Sequence, residues 1–442
     1  MNTPPVSTLI PWIRGVLVAA VTAACGPARA VDFADIRPLV TAAHRAGLRV
    51  LESRRLSLVT DRPERPGDGV AELPRLFDEA FRSWCRHYGL DEDDQDDWRG
   101  LACLVVDREK FRVAGLLPAD VPEFPNGFCA GNRFWFADQS NPAFRRHLLL
   151  HEGVHAFTIT VRRLATPEWY TEGIAEYLAT HRLDVDGAGV LHFQPTPIPA
   201  RPADVEQLGR IENLRATAAA GRTQTLSQVF AAPVGNHEIA AYAASWAAVA
   251  FLAGHPAHAP HFAAAQRGPL DARFTERLAA QPGWDGPRAT RDHAAFIADL
   301  DYGYDFTRTV VDWAPGQPLT GPQRVEVAAD RGWQNTRSTL AAGDRCAFKS
   351  SGRVELGRLP HAAHPIESEA DGISLRWYRG RPLGRLLVAQ WIDDATGFRV
   401  LGAGAAGEFT AAAAGPLFVK INESPGELAD NRGRLVVELE PR

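Results

Sequence analysis

Residues 151–155 carry two histidines and a glutamate in the spacing of a helical metal site. His151 and His155 are four positions apart, and residues four apart on a helix share a face, so both imidazoles can point to one ion. Glu152 lies beside them, where a carboxylate can flank the open position of a catalytic zinc and act as general base. Apolar residues precede and follow the segment, which indicates a buried helix. Because buried charged groups need partners, the segment predicts a zinc site.

A second segment, residues 169–177, offers the further ligand that such a zinc ion requires. Its carboxylates, Glu172 and Glu176, are also four positions apart and share one helix face. We predict that Glu172 is the third ligand and that Glu176 accepts a hydrogen bond from the free ring nitrogen of a ligand histidine. The spacing also permits the two carboxylates to exchange these roles, and it permits Glu176 to be a solvated charge.

Together the two segments resemble the gluzincin metallopeptidases, the thermolysin-like and aminopeptidase-like branch of the zinc peptidases. The resemblance rests on the pattern His151-Glu152-x-x-His155 and on residues 169–177, which are similar to the Trp-x-x-Glu-Gly-x-Ala-Glu-Tyr helix of that clan. It implies that the two histidines and Glu172 hold Zn2+, that the intervening glutamate is the base, and that the substrate is a peptide or protein. The chain is most similar to exported bacterial members of unassigned substrate, so specificity stays open.

The resemblance also indicates how a substrate would be held. In gluzincins an edge strand upstream of the zinc helix lines the cleft and pairs with the peptide, and residues 132–137 are the matching segment. In aminopeptidase-like members a tyrosine well downstream of the third ligand donates a hydrogen bond to the oxyanion. Tyr242 lies at a comparable separation and is our candidate catalytic residue, with a packed helix aromatic as the alternative. His237 is a further candidate, with a surface histidine as its alternative.

Two other interpretations of the metal site stay open. The chain could be a gluzincin-fold protein of the cell envelope that no longer hydrolyses peptides and binds through a carbohydrate-binding C-terminal module. Alternatively, the zinc could be structural. A closed structural site usually recruits a fourth protein ligand, typically cysteine or histidine, and none follows at short spacing. We favour the peptidase because all residues needed for the metal and the base are present.

The rest of the chain must position these side chains. Its 442 residues predict two or three domains. A hydrophobic fraction of 45% and a charged fraction of 23% are typical of a folded globular protein. The formal net charge is -5 and no basic patch stands out, so we expect no nucleic acid partner.

The sequence pattern predicts an α+β fold in two parts. Residues 31–305 are expected to form a mixed sheet and a mainly helical peptidase domain, and the gluzincin resemblance covers roughly residues 45–300 of it. Residues 306–322 are rich in proline and glycine and read as a linker. Residues 323–442 contain short alternating segments between turns, which is typical of an all-β sandwich similar to a jelly roll.

The N-terminus predicts export. Residues 1–30 have the features of a signal peptide, with an apolar run over residues 15–25 and a small-x-small cleavage pattern at 28–30. We therefore expect a periplasmic or secreted protein without a transmembrane span in the mature chain. Residues 22–25 resemble a lipobox, so a lipid anchor at Cys25 is the second choice. A buried N-terminal helix is the remaining alternative.

The C-terminal part resembles a second known family. Residues 332–336 and 422–433 are similar to segments of bacterial galactose-binding lectin-like jelly rolls. In those lectins the last loop holds calcium and sugar. The resemblance therefore implies carbohydrate as a further ligand, and Asn422, Asp430 and Asn431 would offer oxygen ligands to Ca2+. The alternative is an ordinary hairpin turn.

Overall fold

The computed structural model describes residues 35–205, 209–233, 239–358 and 364–442. The predicted signal peptide with Cys25, and the candidate His237, lie outside these residues. The described chain has an α+β fold, as predicted. Within it, no helix has both the length and the apolar character needed to span a membrane.

The N-terminal part is built on a five-stranded mixed sheet. Its strands in chain order are β1 (Arg49–Glu52), β2 (Leu56–Thr60), β3 (Gly100–Val105), β4 (Gly127–Ala130) and β5 (Arg133–Ala137). The order across the sheet is β1-β2-β3-β5-β4. β3 is parallel to β2 and β5, whereas β1 pairs with β2 and β4 pairs with β5 in antiparallel fashion. Every residue of β2 and β3 is buried, as expected for strands covered on both faces.

The sequence predicts that residues 132–137 form an edge strand of this sheet, but they do not. The segment 132–137 does form a strand, β5, but β5 lies between β3 and β4. Phe134 and Phe136 are fully buried, which fits this internal position. The chain reverses between Ala130 and Arg133, so that β4 is added outside β5. The edge prediction is therefore wrong, because aromatic content does not reveal the pairing order.

Helices cover the sheet and extend the N-terminal part. In chain order they are α1 (Arg37–Arg45), α2 (Leu73–Tyr88), α3 (Arg108–Val113), α4 (Pro142–Val161), α5 (Glu168–Ala179), α6 (Arg210–Ala219), α7 (Leu226–Phe230), α8 (Ile239–Gly254), α9 (Ala259–Arg267), α10 (Phe274–Ala279) and α11 (Gly286–Asp299). A hairpin follows α5 and consists of β6 (His181–Val185) and β7 (Leu191–Pro195). Short 3-10 helices span Asp93–Gln95 and Pro202–Asp204.

Helix α4 carries the predicted metal motif, and its sequence explains where it begins. The side chain of Asn141 accepts hydrogen bonds from two backbone N–H groups of the first turn, at 2.8 and 3.2 Å. Pro142 occupies the first turn, where its missing amide hydrogen costs nothing. Further along, a Cβ on Gly153 would lie 3.0 Å from the indole of Trp84 and would collide with Phe77. This glycine therefore lets α2 pack directly against α4.

The C-terminal part is all-β, as predicted. Its strands are β8 (Gln317–Pro318), β9 (Gln323–Ala328), β10 (Gln334–Leu340), β11 (Arg345–Leu356), β12 (Glu367–Ser368), β13 (Ile373–Tyr378), β14 (Arg381–Leu383), β15 (Leu386–Trp391), β16 (Phe398–Ala403), β17 (Ala406–Thr410), β18 (Gly415–Ile421) and β19 (Asn431–Pro441). One sheet has the order β16-β15-β18-β10-β8, and the other has the order β12-β11-β19-β9 with β17 against β11. Both sheets contribute to one hydrophobic core, which includes Val388 and Val437.

The two parts share an interface formed by α11. Ala295 packs into a cluster of aromatic residues from the sandwich. At the end of α11, Asp299 accepts a hydrogen bond from Nζ of Lys420 at 2.7 Å, and Lys420 is only 3% exposed. Trp313 belongs to the segment 306–322, which was expected to be a linker, and it packs against the same cluster. The segment that joins the two parts therefore contributes to their interface.

Candidate metal centre

Two helices bring the three predicted metal ligands together. α4 carries His151 and His155, and α5 carries Glu172. Nε2 of His151 lies 3.1 Å from Nε2 of His155. Oε2 of Glu172 lies 3.4 Å from the first of these nitrogens and 3.5 Å from the second. All three residues are at most 5% exposed. This buried group could hold a metal ion.

The separations fit a single tetrahedral ion. With ligand bonds of about 2.1 Å, two ligand atoms at the tetrahedral angle are about 3.4 Å apart. Beyond these two long contacts with the imidazoles, neither oxygen of Glu172 has a hydrogen-bond partner among the described residues, and both are buried. A buried carboxylate in that state is costly unless positive charge lies next to it. Distances and burial therefore both favour a bound cation.

The charges of the centre lead to the same conclusion. Burial opposes protonation of His151, but hydrogen bonds to Glu172 and Glu176 outweigh it and raise the pKa of His151 to about 10. Burial also opposes ionisation of Glu172, yet the positive charge of His155 and the hydrogen bond from His151 hold the pKa of Glu172 below its ordinary value. The centre thus pairs positive charge with two carboxylates, and a divalent ion would supply that charge.

Glu176 lies behind the ligands, where the sequence predicts a supporting residue. Its Oε1 is 3.3 Å from Nδ1 of His151, and its Oε2 is 3.3 Å from Nε2 of His147. Arg210 of α6 donates two hydrogen bonds to the same carboxylate, at 2.9 and 2.6 Å. Burial opposes ionisation, but Arg210 and His147 hold the pKa of Glu176 well below its ordinary value. Glu176 also forms, with His147 and His151, a group of residue types that could hold a metal ion. Because Arg210 already pairs with Glu176, we interpret this carboxylate as orienting His151.

The sequence analysis does not predict two residues that contact Glu176, namely His147 and Arg210. His147 is one helical turn before His151, so its spacing carries a signal that could have been used. Arg210 follows Glu176 by 34 positions and lies outside any motif, so nothing in the local pattern indicates the contact.

Glu152 lies between the ligands and strand β4. It is 1% exposed, and neither of its carboxylate oxygens has a hydrogen-bond partner among the described residues. Burial raises the pKa of Glu152 to about 7. A Cβ on Gly127 of β4 would lie 2.7 Å from Cδ of Glu152 and would collide with Oε1. The absence of a side chain at Gly127 therefore creates the space that the carboxylate occupies.

Helix α8 supports the centre from another side. α5 approaches it closely at Gly173, where a Cβ would lie 2.5 Å from the carbonyl oxygen of Ser245. The ring of Tyr242 lies 6.2 Å from the ring of His151, centroid to centroid. Burial and the negative charges of the nearby glutamates raise the pKa of Tyr242, so its hydroxyl stays protonated. The structure places Tyr242 beside the centre, and its catalytic role stays a prediction.

Besides the groups that share His151, a second buried group, formed by His255, His258 and Asp292, also has residue types that could hold a metal. Its distances are those of a hydrogen-bond network. Nε2 of His258 lies 2.8 Å from Oδ2 of Asp292, whereas Nε2 of His255 is 3.9 Å away, and Trp313 donates to Oδ1 at 2.6 Å. Nδ1 of His255 accepts the backbone N–H of Ala257, which leaves the proton of the neutral ring on Nε2. We therefore interpret this group as part of the interface.

The three residues predicted to bind calcium lie near the junction of β18 and β19. Nδ2 of Asn422 donates to three backbone carbonyls at 3.0 to 3.2 Å. Nδ2 of Asn431 donates to the carbonyl of Ala329 at 3.1 Å and to Oε2 of Glu423. Asp430 is exposed. These contacts give the two asparagines a structural role between loops, and calcium binding here stays a prediction.

Comparisons with known proteins assign no family. No family model and no curated protein matches the chain. One similar solved structure is the EclA N-terminal domain, a PllA-like lectin, with 19% identity over 27% of this chain and 95% of that chain, at a TM-score of 0.22. Another is PliG of Aeromonas hydrophila, a periplasmic lysozyme inhibitor of g-type lysozyme, with 10% identity over 30% of this chain and 99% of that chain, at a TM-score of 0.15. With TM-scores this low, neither similarity supports a conclusion about fold or function.

Proposed function

We propose that the chain is a zinc-dependent peptidase. One observation supports this most: two imidazoles and a carboxylate lie 3.1 to 3.5 Å apart, and the unpaired carboxylate of Glu152 is buried beside them. Two nitrogens and an oxygen form a donor set that zinc accepts readily. Among the described residues, the group of mutually close ligand atoms contains no fourth side chain. A three-residue set favours a catalytic zinc over a structural one.

The residues of the centre have complementary chemical roles. A zinc ion held by His151, His155 and Glu172 would polarise a peptide carbonyl and lower the pKa of a water molecule towards neutrality. Glu152, whose pKa burial raises to about 7, is suited to take a proton from water and deliver it to the leaving amine. Tyr242 keeps its hydroxyl proton and can donate a hydrogen bond to the developing oxyanion.

An extended peptide is the substrate that the sheet favours. β4 pairs with β5 on one side, and in the described chain no strand pairs with its other side. A peptide can add to such an edge through backbone hydrogen bonds, which bind many sequences alike. Because Gly127 of β4 contacts Glu152, a peptide on this edge would pass next to the base.

The direct test is digestion of a denatured protein and a peptide library by the purified full chain. We expect cleavage that a zinc chelator abolishes and that added zinc restores. A chain that binds zinc but cleaves nothing would contradict the proposal. That outcome would favour the catalytically inactive binding protein, and a glycan array would then test its C-terminal module for carbohydrate binding.

We also propose that the protein acts outside the cytoplasm, as residues 1–30 predict. N-terminal sequencing of the protein from its native host tests this. A mature chain that begins after Ala30 supports periplasmic or secreted location, whereas a blocked, lipid-modified Cys25 indicates an anchored form. A chain that retains Met1 in the cytoplasm would contradict export.

We expect Gly127→Ala to retain zinc and to lower kcat by about a hundredfold, since displacing a catalytic group by about 1 Å costs that much. The new methyl group would collide with Oε1, Cδ and Cγ of Glu152 and would displace the carboxylate. Gly127 is not among the residues with positive φ, so alanine adds no backbone strain. Gly187→Ala is the matched control, because a Cβ there meets nothing within 4 Å. Unchanged turnover in Gly127→Ala would show that the base does not depend on this contact.

A further inference from the structure

Helix α6, which carries Arg210, is held by the segment that follows α11. The hydroxyl of Tyr302 donates a hydrogen bond to Oε1 of Glu212 at 2.7 Å. Arg215, one turn further along α6, forms an ion pair with Asp301. Two side chains of α6 are thus tied to adjacent residues of one segment. Any movement of that segment would be transmitted to α6 and to the guanidinium that binds Glu176.

Arg379 of the sandwich forms hydrogen bonds with the start of the same segment and with the end of α11. This residue lies in the turn between β13 and β14, and its guanidinium donates to the carbonyls of Ala298 and Leu300 at 2.6 and 3.2 Å. It also donates to Oδ1 of Asp299 at 3.3 Å. These acceptors lie at the C-terminus of α11, where carbonyls lack intrahelical partners and positive charge is favoured. One side chain of the sandwich therefore caps the last helix of the N-terminal part.

The backbone of Arg379 has an unusual conformation. Its φ is 48°, in the left-handed region that residues other than glycine rarely adopt. The following residue, Gly380, has a φ of 74°, so the turn has the primed geometry that joins two antiparallel strands tightly. The side chain of Arg379 is 36% exposed despite its three hydrogen-bond acceptors on the other part. The strained turn directs it across the interface.

A second contact holds the same segment from the loop between β18 and β19. The carbonyl of Pro425 accepts the backbone N–H of Asp305 at 3.2 Å. Gly426 lies so close to the segment that a Cβ on it would be 2.8 Å from the carbonyl carbon of Gly303. The sandwich thus contacts the chain on both sides of residues 300–302.

We propose that Arg379 is a positioning residue of the metal centre. By capping α11 it fixes residues 300–302, which hold α6, and α6 places Arg210 on the carboxylate of Glu176 behind His151. The sandwich then helps to orient the metal ligand His151. It is more than an independent module joined to the N-terminal part. Where it concerns turnover, this inference rests on the proposed peptidase function.

Arg379→Ala tests the inference in the full-length chain. We expect faster amide hydrogen exchange in α6 and weaker zinc retention against a chelator, by about tenfold, the lower end of what loss of a supporting residue costs. kcat should fall with KM unchanged, because Arg379 does not lie among the residues proposed to bind substrate. Arg379→Lys keeps the charge and the turn but cannot reach all acceptors, so we expect an intermediate effect.

Arg353→Ala is the matched control. Arg353 is also an arginine of the sandwich, but its partners, Glu367 and Glu369, belong to the sandwich itself. We expect this variant to exchange and to retain zinc like the unaltered chain. Equal α6 exchange and equal zinc retention in Arg379→Ala and Arg353→Ala would overturn the inference. Exchange and zinc retention can be read even if the chain cleaves no peptide, so failure of the peptidase proposal is distinguishable from failure of this one.

Discussion

Glu152→Gln is expected to retain zinc and to lose nearly all peptide hydrolysis, with kcat reduced by about a thousandfold, within the range for loss of a general base. Glutamine has the same shape, so the contact with Gly127 and the packing of α4 are preserved. It cannot accept and return a proton near neutral pH, whereas burial raises the pKa of Glu152 to about 7. The measurement is kcat and zinc content on the same preparation.

A buried glutamate elsewhere in the chain provides the control. Glu423 of the sandwich is also 1% exposed, and burial raises its pKa to about 7 as well. Glu423→Gln should therefore reproduce any general effect of neutralising a buried carboxylate, while it leaves hydrolysis unchanged. Full activity of Glu152→Gln would remove Glu152 from the role of base. Equal losses in both variants would indicate a stability effect and not a catalytic one.

His155→Ala is expected to abolish zinc binding and, with it, all hydrolysis. The substitution leaves one imidazole and one carboxylate, which is too few protein ligands for a zinc site. Since an ion that binds only the folded chain stabilises it, the unaltered protein should unfold at a lower temperature in chelator than in zinc. His155→Ala should show no such difference. Zinc content by elemental analysis and thermal unfolding with and without chelator are the measurements.

His258→Ala is the control for this experiment. His258 is 2% exposed and belongs to the second buried group, where it lies 2.8 Å from Asp292. We expect His258→Ala to be less stable but to keep its zinc and the response to chelator. Loss of zinc from His258→Ala, with zinc retained in His155→Ala, would move the metal site to the second group and contradict the proposed centre.

The spacing of residues along one helix predicts much of the centre. His151 and His155 face the same point because they are four apart on α4, and Glu172 and Glu176 share a face of α5 for the same reason. The spacing does not distinguish the roles of the two carboxylates. Their surroundings favour different roles, because Arg210 donates two hydrogen bonds to Glu176, whereas Glu172 lies 3.4 and 3.5 Å from Nε2 of His151 and of His155.

Contacts between distant elements are what the sequence cannot predict. The aromatic run in β5 correctly indicates a strand, but the position of β4 outside it depends on a chain reversal that the pattern does not encode. The role of Gly127 follows from that reversal, because the reversal places Gly127 of β4 against Glu152. In the same way, no local motif around Arg379 indicates that its side chain contacts the end of α11.

The deep burial of the three ligands has a kinetic consequence. None of His151, His155 and Glu172 is more than 5% exposed, and they lie between two packed helices. Release of an ion held there would require a local opening that exposes the ligands, so exchange of the ion with solution would be slow. A chelator would therefore remove the zinc only over a long incubation, and the rate of removal would report how often the centre opens.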